Sequence, residues 1–382
     1  MAEPTVLIIG AGTFGTSTAY HLAQTYRDAS RVTVIDRWAP SSPIGTKSAA
    51  AIDVNRIIRT DYVNSLYCNL ANEAIHPWFW SQELGHFFHK TGWVVLDEKD
   101  SDFVARVRDT FRQRGSDYTK DVDVKSLGKK WEVLDGMMAE GLDKCYFNPE
   151  AGWCDAESAT ANFMAAAEKK GVRRLTGTVT ELLFDKRRKQ VVGVRTVDGQ
   201  QLMADQIVLA AGAWTSSLLS PIEDALRIQE EGRIERQIKA VGRLSAYYTL
   251  TPQETESMCQ AELPAVVYRG QAILTPPSRE NQTLKINDLK TEFVNTVTTT
   301  SGHKISVPSA RNQQDVPKEL KSGTERLLSA MIPNIARDRK PDRWRICWDA
   351  KTPTEDWLMC KHPHLQLQNL YLAVGGNFSS YK

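Results

Sequence analysis

The first stretch of the chain changes pattern three times. Residues 5–9 are an unbroken β-branched and apolar run. Residues 17–26 space their apolar positions as one face of a helix would, and residues 31–36 (RVTVID) are a second short apolar run. Strand, helix and strand in this order predict a βαβ unit, and with it a parallel sheet with a right-handed crossover. Farther along, the pattern alternates. Residues 178–184, 191–197 and 201–204 read as a meander with turns at 185–189 and 198–199, and a strand at 206–210 runs into AAGAW. Two stretches differ in character: 86–149 mixes aromatic and charged residues, and 221–324 is polar and rich in Pro and Thr. They predict a second unit inserted into the first. The first unit then comprises 1–85, 150–220 and 325–382, and the second comprises 86–149 and 221–324.

Composition narrows the class. The 382 residues suit two domains or one large fold with an insertion. Hydrophobic residues at 41% and charged residues at 25% suit a soluble globular chain, and exclude a disordered chain, a collagen-like fibre and a small disulfide scaffold. A net charge of +2 gives no field to collect nucleic acid or an acidic membrane. No apolar run reaches the ~18 residues of a membrane span, and the start lacks a basic n-region. An intracellular protein is expected. The six cysteines form no CxxC and no ligand-like cluster, so neither a metal site nor a disulfide framework is expected. The ten tryptophans suit a core, and equally a pocket around a planar cofactor. The basic run 337–345 reads as a solvated loop, and His86 and His89, spaced i, i+3, read as structural.

Candidate chemistry starts at Gly10-Ala11-Gly12-Thr13-Phe14-Gly15, which follows the first strand and opens the helix. Asp36 ends the next strand about 20 residues on, as a dinucleotide fingerprint requires. Gly10 allows the tight turn, Gly12 lets a pyrophosphate approach the backbone, and Gly15 lets helix and strand pack closely. The helix N-terminus offers free N–H groups to phosphate. A carboxylate at 36 can accept from ribose hydroxyls and disfavours a 2′-phosphate, so NADP is not expected. The fingerprint alone does not separate FAD from NAD. Two further segments lean to FAD: the meander start with Val179, followed by the strand into Ala211-Gly212, and the C-terminal LYLAVGGNFSS, whose small residues suit backbone N–H groups facing a cofactor.

Together these segments resemble the sarcosine oxidase and fructosyl amino acid oxidase family, which includes saccharopine and pipecolate oxidases. The likeness spans nearly the whole chain and is carried by GAGTFG, DVNRIIRTDY (53–62), NPEAGWCDAESA (148–159), ADQIVLAAGAW, TLKIND, RICWDAKTP and GGNFSSYK. It implies an α/β protein (α+β overall) with a glutathione-reductase-like FAD-binding domain and an inserted antiparallel-sheet substrate domain. It implies FAD bound covalently through Cys347, held by residues 10–15, Asp36, Arg37, Ser48, Val179, Gly212, Gly376 and Phe378. Arg345, two residues from Cys347 in a strand, would favour the thiolate. Lys285 matches the lysine that assists reaction with O2, where a fixed cation stabilises superoxide. Arg56 and Arg59 match two arginines near flavin and substrate, and Lys382 matches the lysine that completes a carboxylate clamp. As an i, i+3 pair the two arginines would share a face of a helical turn.

Family members continue past the equivalent of Lys382 with a final helix, so a shortened or divergent member is also expected, and a peroxisomal signal is not readable. The activity implied is oxidation of a secondary amine, such as an N-substituted amino acid, to an imine with release of H2O2. Its partners would be a small amine and O2, without nucleic acid or membrane, in a cytoplasmic or peroxisomal monomer. A tailoring oxidase of an alkaloid pathway would show the same motifs. An NAD-dependent dehydrogenase leaves AAGAW, RICWD and the C-terminal glycines unexplained, and an inactive flavoprotein is the remaining alternative.

Overall fold

The computed structural model describes residues 3–39, 41–42, 48–187 and 189–376. Phe378 and Lys382 lie outside them.

A six-stranded sheet runs in the order Leu358–Lys361, Leu370–Val374, Gln206–Leu209, Val6–Ile9, Val32–Asp36, Arg173–Thr176. All neighbours are parallel except the Leu358–Lys361 edge. The unbroken apolar run of the first strand follows from its place inside this sheet, where both faces are covered. Val6 and Ile8 pack with Ala19 and Ala23 of helix Thr13–Thr25 and Met164 of helix Ala156–Lys169. Leu7 and Ile9 point the other way, into a cluster with Leu218 and Leu219 of helix Thr215–Ala225 and Leu182, Val191 and Val194 of the meander. The meander strands are Val179–Asp185, Gln190–Thr196 and Gln201–Met203, close to the predicted bounds.

The second sheet has eight strands, ordered Arg343–Lys351, Lys239–Thr249, Thr283–Phe293, Ala272–Thr275, Ala265–Tyr268, Trp93–Glu98, Leu142–Asn148, Lys120–Asp121. It is antiparallel except where Ala265–Tyr268 runs parallel to Trp93–Glu98, the pair that joins the two halves of the expected insertion. Two assignments from sequence change here. The strand Arg343–Lys351 is the edge of this sheet, although 325–382 was assigned to the first unit. The basic run 337–345 is also not all loop: helix Pro333–Asp338 covers its start and the strand takes over at Arg343. Alternation explains the strand. Trp344, Ile346 and Trp348 face one core cluster, while Arg345, Cys347 and Asp349 face the opposite side.

A small three-stranded sheet places Arg56–Ile58 against Gly152–Cys154, which also pairs with Phe88–His89. Residues 56–59 were expected on a helical turn. The β-branched pair Ile57-Ile58 and pairing with Gly152 and Trp153 make the segment a strand instead, so Arg56 and Arg59 fall on opposite faces.

Candidate active site

A cleft opens where the six-stranded sheet meets helix Thr13–Thr25. Gly10 has φ +105°, and a Cβ there would stand 2.5 Å from the Ala210 carbonyl oxygen. A Cβ on Gly15 would lie 1.8 Å from the Gly10 carbonyl oxygen, so the turn and the helix close only over two glycines. Gly12 differs: among the described residues, its chain neighbours aside, nothing lies within 4 Å of its would-be Cβ, and its face opens to the cleft. It caps the helix without a side chain, leaving the first-turn N–H groups for an anion. Asp36 Oδ2 accepts from Ala11 N at 2.7 Å and Oδ1 from Trp38 N at 3.0 Å, which fixes the carboxylate at the end of its strand. Arg37 lies 5.2 Å over the Trp38 ring and 4.7 Å over Trp214. Gly10, Gly12, Thr13, Phe14, Asp36, Arg37, Val179, Gly212 and Gly376 all line this one cleft. Ala11 holds Asp36, and Gly15 is buried beneath the turn.

The second part of the site is a buried charge cluster centred on Asp53, which is 1% exposed. Its carboxylate accepts from Lys285 Nζ at 2.7 Å, Arg56 Nη1 at 3.0 Å, the Tyr247 hydroxyl at 2.9 Å and Val54 N at 2.8 Å, and Arg345 Nη1 stands 3.5 Å away. Lys285 is wholly buried mid-strand and also donates to the Asn55 carbonyl at 3.1 Å. Burial opposes ionisation of Asp53, but Lys285, Arg56 and Arg345 outweigh it and hold its carboxyl well below the usual range. Burial pushes Lys285 down to about 8, against the pull of Asp53.

The cluster reaches the cleft through one segment of chain. Arg56 Nε donates to Ala50 O at 3.0 Å, Arg345 Nη2 to Ala49 O at 3.0 Å, and Gln313 Nε2 to Ser48 O at 2.7 Å. Ala49, Ala50 and Ala51 line the cleft on their other side. Cys347 Sγ takes a hydrogen bond from Arg56 Nη2 at 2.9 Å. The cation predicted to favour its thiolate was Arg345; the direct partner is Arg56. Burial raises the thiol above its ordinary value, with Arg56 pulling back before Arg345.

Arg59 donates to the Asp61 carbonyl and lies 4.2 Å over the Tyr62 ring and 5.7 Å over Trp93. From there a row of rings leads to the cleft wall. Tyr62 and Tyr67 are 6.2 Å apart, Tyr67 and Trp357 5.1 Å, and Trp357 and Phe14 5.9 Å. The Tyr67 hydroxyl donates to Asp356 at 2.7 Å and accepts from Trp357 N at 3.2 Å. Sequence reasoning missed this row, the hub role of Asp53, and Tyr247. Asp53 alone left a signal, three residues before Arg56.

The parallel sheet, its glycine turn and the fixed acid at the second strand end define a dinucleotide-binding oxidoreductase, and the extra meander facing the same cleft is the flavoprotein form of that arrangement. The chain belongs to the FAD dependent oxidoreductase family, whose description matches residues 5–380. It is 25% identical over 399 residues to the L-saccharopine oxidase of Schizosaccharomyces pombe, covering 99% of this chain and 86% of that protein. Against a monomeric sarcosine oxidase of a Bacillus species the identity is 25% over 383 residues, with 99% and 88% covered. Among solved structures, the deglycating fructosamine oxidase Amadoriase II of Aspergillus fumigatus superposes with a TM-score of 0.79 at 27% identity, covering 99% of this chain and 83% of that one. The residues present fit FAD: an open glycine face at a helix start for the pyrophosphate, a fixed carboxylate for ribose, and cations beside a cysteine for an electron-rich ring. Among the described residues no helix is long and apolar enough to cross a membrane.

Proposed function

We propose that this flavoenzyme oxidises the secondary amine of an N-substituted amino acid, passing the electrons to O2 to give H2O2 and an imine that water hydrolyses. The observation that carries this reading is the buried cluster of Lys285, Arg56 and Arg345 beside Cys347, hydrogen-bonded to residues 49 and 50, which line the dinucleotide cleft. Three cations face two carboxylates, Asp53 and Asp349, so the cluster keeps positive charge in a dry site. That charge suits anionic reduced flavin and, at Lys285, the superoxide formed first.

FAD supplies the two-electron acceptor for the amine's α C–H bond and returns those electrons to O2. The protein's part is positional. Arg59, braced on Tyr62 and Asp61, presents a guanidinium to a substrate carboxylate, and Lys382 is assigned to the same clamp. The aromatic row from Tyr62 to Phe14 offers the neutral amine an apolar wall. Cys347 is the attachment point for the flavin, and Lys285 serves the oxygen step. The relatives' names span saccharopine, sarcosine and fructosyl amines, which share an N-substituted amino group. We read the enzyme as a monomer acting inside the cell.

The test is an H2O2 assay over sarcosine, other N-methyl amino acids, pipecolate, saccharopine and fructosyl amino acids, with each substrate's amide as control. Turnover of at least one acid, and at least tenfold weaker kcat/KM for its amide, is expected. A flavin-loaded enzyme that oxidises none of them, or turns over acid and amide alike, overturns the reading.

A further inference from the structure

We propose that Asp224, Glu235 and His303 form a binding site for one divalent metal cation, separate from the flavin site. Asp224 lies near the end of helix Thr215–Ala225, Glu235 opens the turn Glu235–Gln237, and His303 sits between the paired strands Thr296–Thr298 and Lys304–Ser306. One ligand atom from each lies within 4.8 Å of the others. Metal–ligand bonds of about 2.0–2.2 Å span nearly that distance, so small side-chain rotations bring all three onto one ion.

Two further observations point to a missing cation. Glu235 is 0% exposed, yet among the described residues its Oε2 has no hydrogen-bond partner, and Asp224 Oδ2 is buried without one as well. Leaving carboxylate oxygens buried and unpaired is costly. The opposite oxygens are engaged. Glu235 Oε1 accepts from Arg233 Nε at 2.7 Å and faces His303 Nδ1 at 3.2 Å, while Asp224 Oδ1 accepts from Arg233 Nη2 and from Ser301 Oγ at 2.7 Å. Arg233 therefore takes one oxygen from each acid and leaves the other.

The charge does not balance either. A third carboxylate, the wholly buried Glu223, stands 3.8 Å from Arg233 and meets His362 at 3.0 Å. With the imidazoles counted neutral, three carboxylates face one guanidinium, an excess of −2 that a divalent ion cancels. Two carboxylates and one imidazole suit Zn2+ or Mn2+. Asp224 is 17% exposed and His303 28%, which leaves room for water to complete the coordination. The ion would tie the 296–306 hairpin to helix Thr215–Ala225, whose N-cap residue Trp214 lines the FAD cleft.

The test uses the flavin-loaded enzyme, dialysed against a chelator and titrated separately with Zn2+ and Mn2+ by calorimetry, with melting followed in parallel. One equivalent of at least one metal is expected to bind at micromolar or tighter affinity and to raise the melting temperature. His303→Ala, at a partly exposed position, is expected to keep its metal-free melting temperature and flavin content but to lose at least tenfold in metal affinity. Asp224→Asn should do the same. Absence of stoichiometric binding by the wild type overturns the proposal, as does wild-type affinity in both variants.

Discussion

Asp53 holds three cations and a tyrosine through one carboxylate, so single substitutions around it separate structural from chemical roles. Lys285→Met is expected to slow flavin reoxidation by ~10²–10³-fold while leaving reduction nearly unchanged, because one preorganised charge is removed from the oxygen step. Stopped-flow measurement of the two half-reactions checks this, and equal slowing of both would refute it. The lysine acts as a cation, so wild-type reoxidation should fall as pH rises through about 8, where burial sets its pKa. Asp53→Asn removes the hub and leaves buried cations uncompensated, a cost of about 3–5 kcal/mol at neutral pH. A carboxyl held below its unfolded pKa stabilises the fold above that value, and the stabilisation is lost as pH falls through the folded pKa. The gap between wild type and Asp53→Asn in denaturant titrations should therefore be full at pH 7 and narrow below about pH 4; a gap that stays constant down to pH 3 would count against it. Arg59→Ala should lower kcat/KM for the acid substrate by ~10–150-fold, mostly through KM, the worth of one bidentate contact of about 1.5–3 kcal/mol. Arg59→Lys should not restore it, since lysine lacks the fork.

At the scale of elements, the glycine turn makes a sharp distinction. Gly15→Ala puts a methyl group 1.8 Å from the Gly10 carbonyl oxygen, inside the closure of strand and helix, and should lower the stability of the apoprotein itself. Among the described residues Gly12→Ala meets no atom beyond its chain neighbours within 4 Å, so the apoprotein should melt as the wild type does while flavin content drops, because the methyl group takes space the pyrophosphate needs. Flavin absorbance per mole of protein and apoprotein melting, measured on both variants, check the pair. This turn was legible because each local signal agreed: the apolar run, the glycine spacing, the helical period and Asp36. The meander was legible for the same reason, its strands alternating between clear turns. The segment 56–59 was not. Two arginines at i, i+3 fit a helix face as well as two ends of a strand, and only pairing with Gly152–Cys154, nearly a hundred residues away in sequence, decides between them. Burial of Asp53 and the row from Tyr62 to Trp357 likewise arise from contacts between distant segments, such as Tyr67 with Asp356, which no local pattern encodes.

For the whole molecule, the two sheets divide the work. The six-stranded sheet would supply the nucleotide cradle, while the edge strand of the eight-stranded sheet carries Cys347. Flavin attached at Cys347 would be tethered to the second sheet at one end and seated on the first at the other. Acid-precipitated protein should keep its yellow colour, and Cys347→Ser should lose it to the supernatant; colour retained by the variant would place the link elsewhere. The pattern of the chain predicts two units and an insertion, but carries no sign that Arg343–Lys351 joins the eight-stranded sheet. That strand follows the insertion in sequence and declares its partner only through the register with Lys239–Thr249.

The register of the first strand bears on how the chain is made. Val6 pairs with Val32 on one side and with Gln206 on the other. During synthesis the first partner is available almost at once, but the second lies 200 residues later. At about 5–20 residues per second, that edge stays unpaired for roughly 10–40 s. Through that interval the nascent chain carries a bare apolar β-edge, a template for pairing with other chains. The βαβ unit of the proposed nucleotide site would thus gain one neighbour early and the other only after residue 206, and through that interval the growing chain is expected to need chaperone protection.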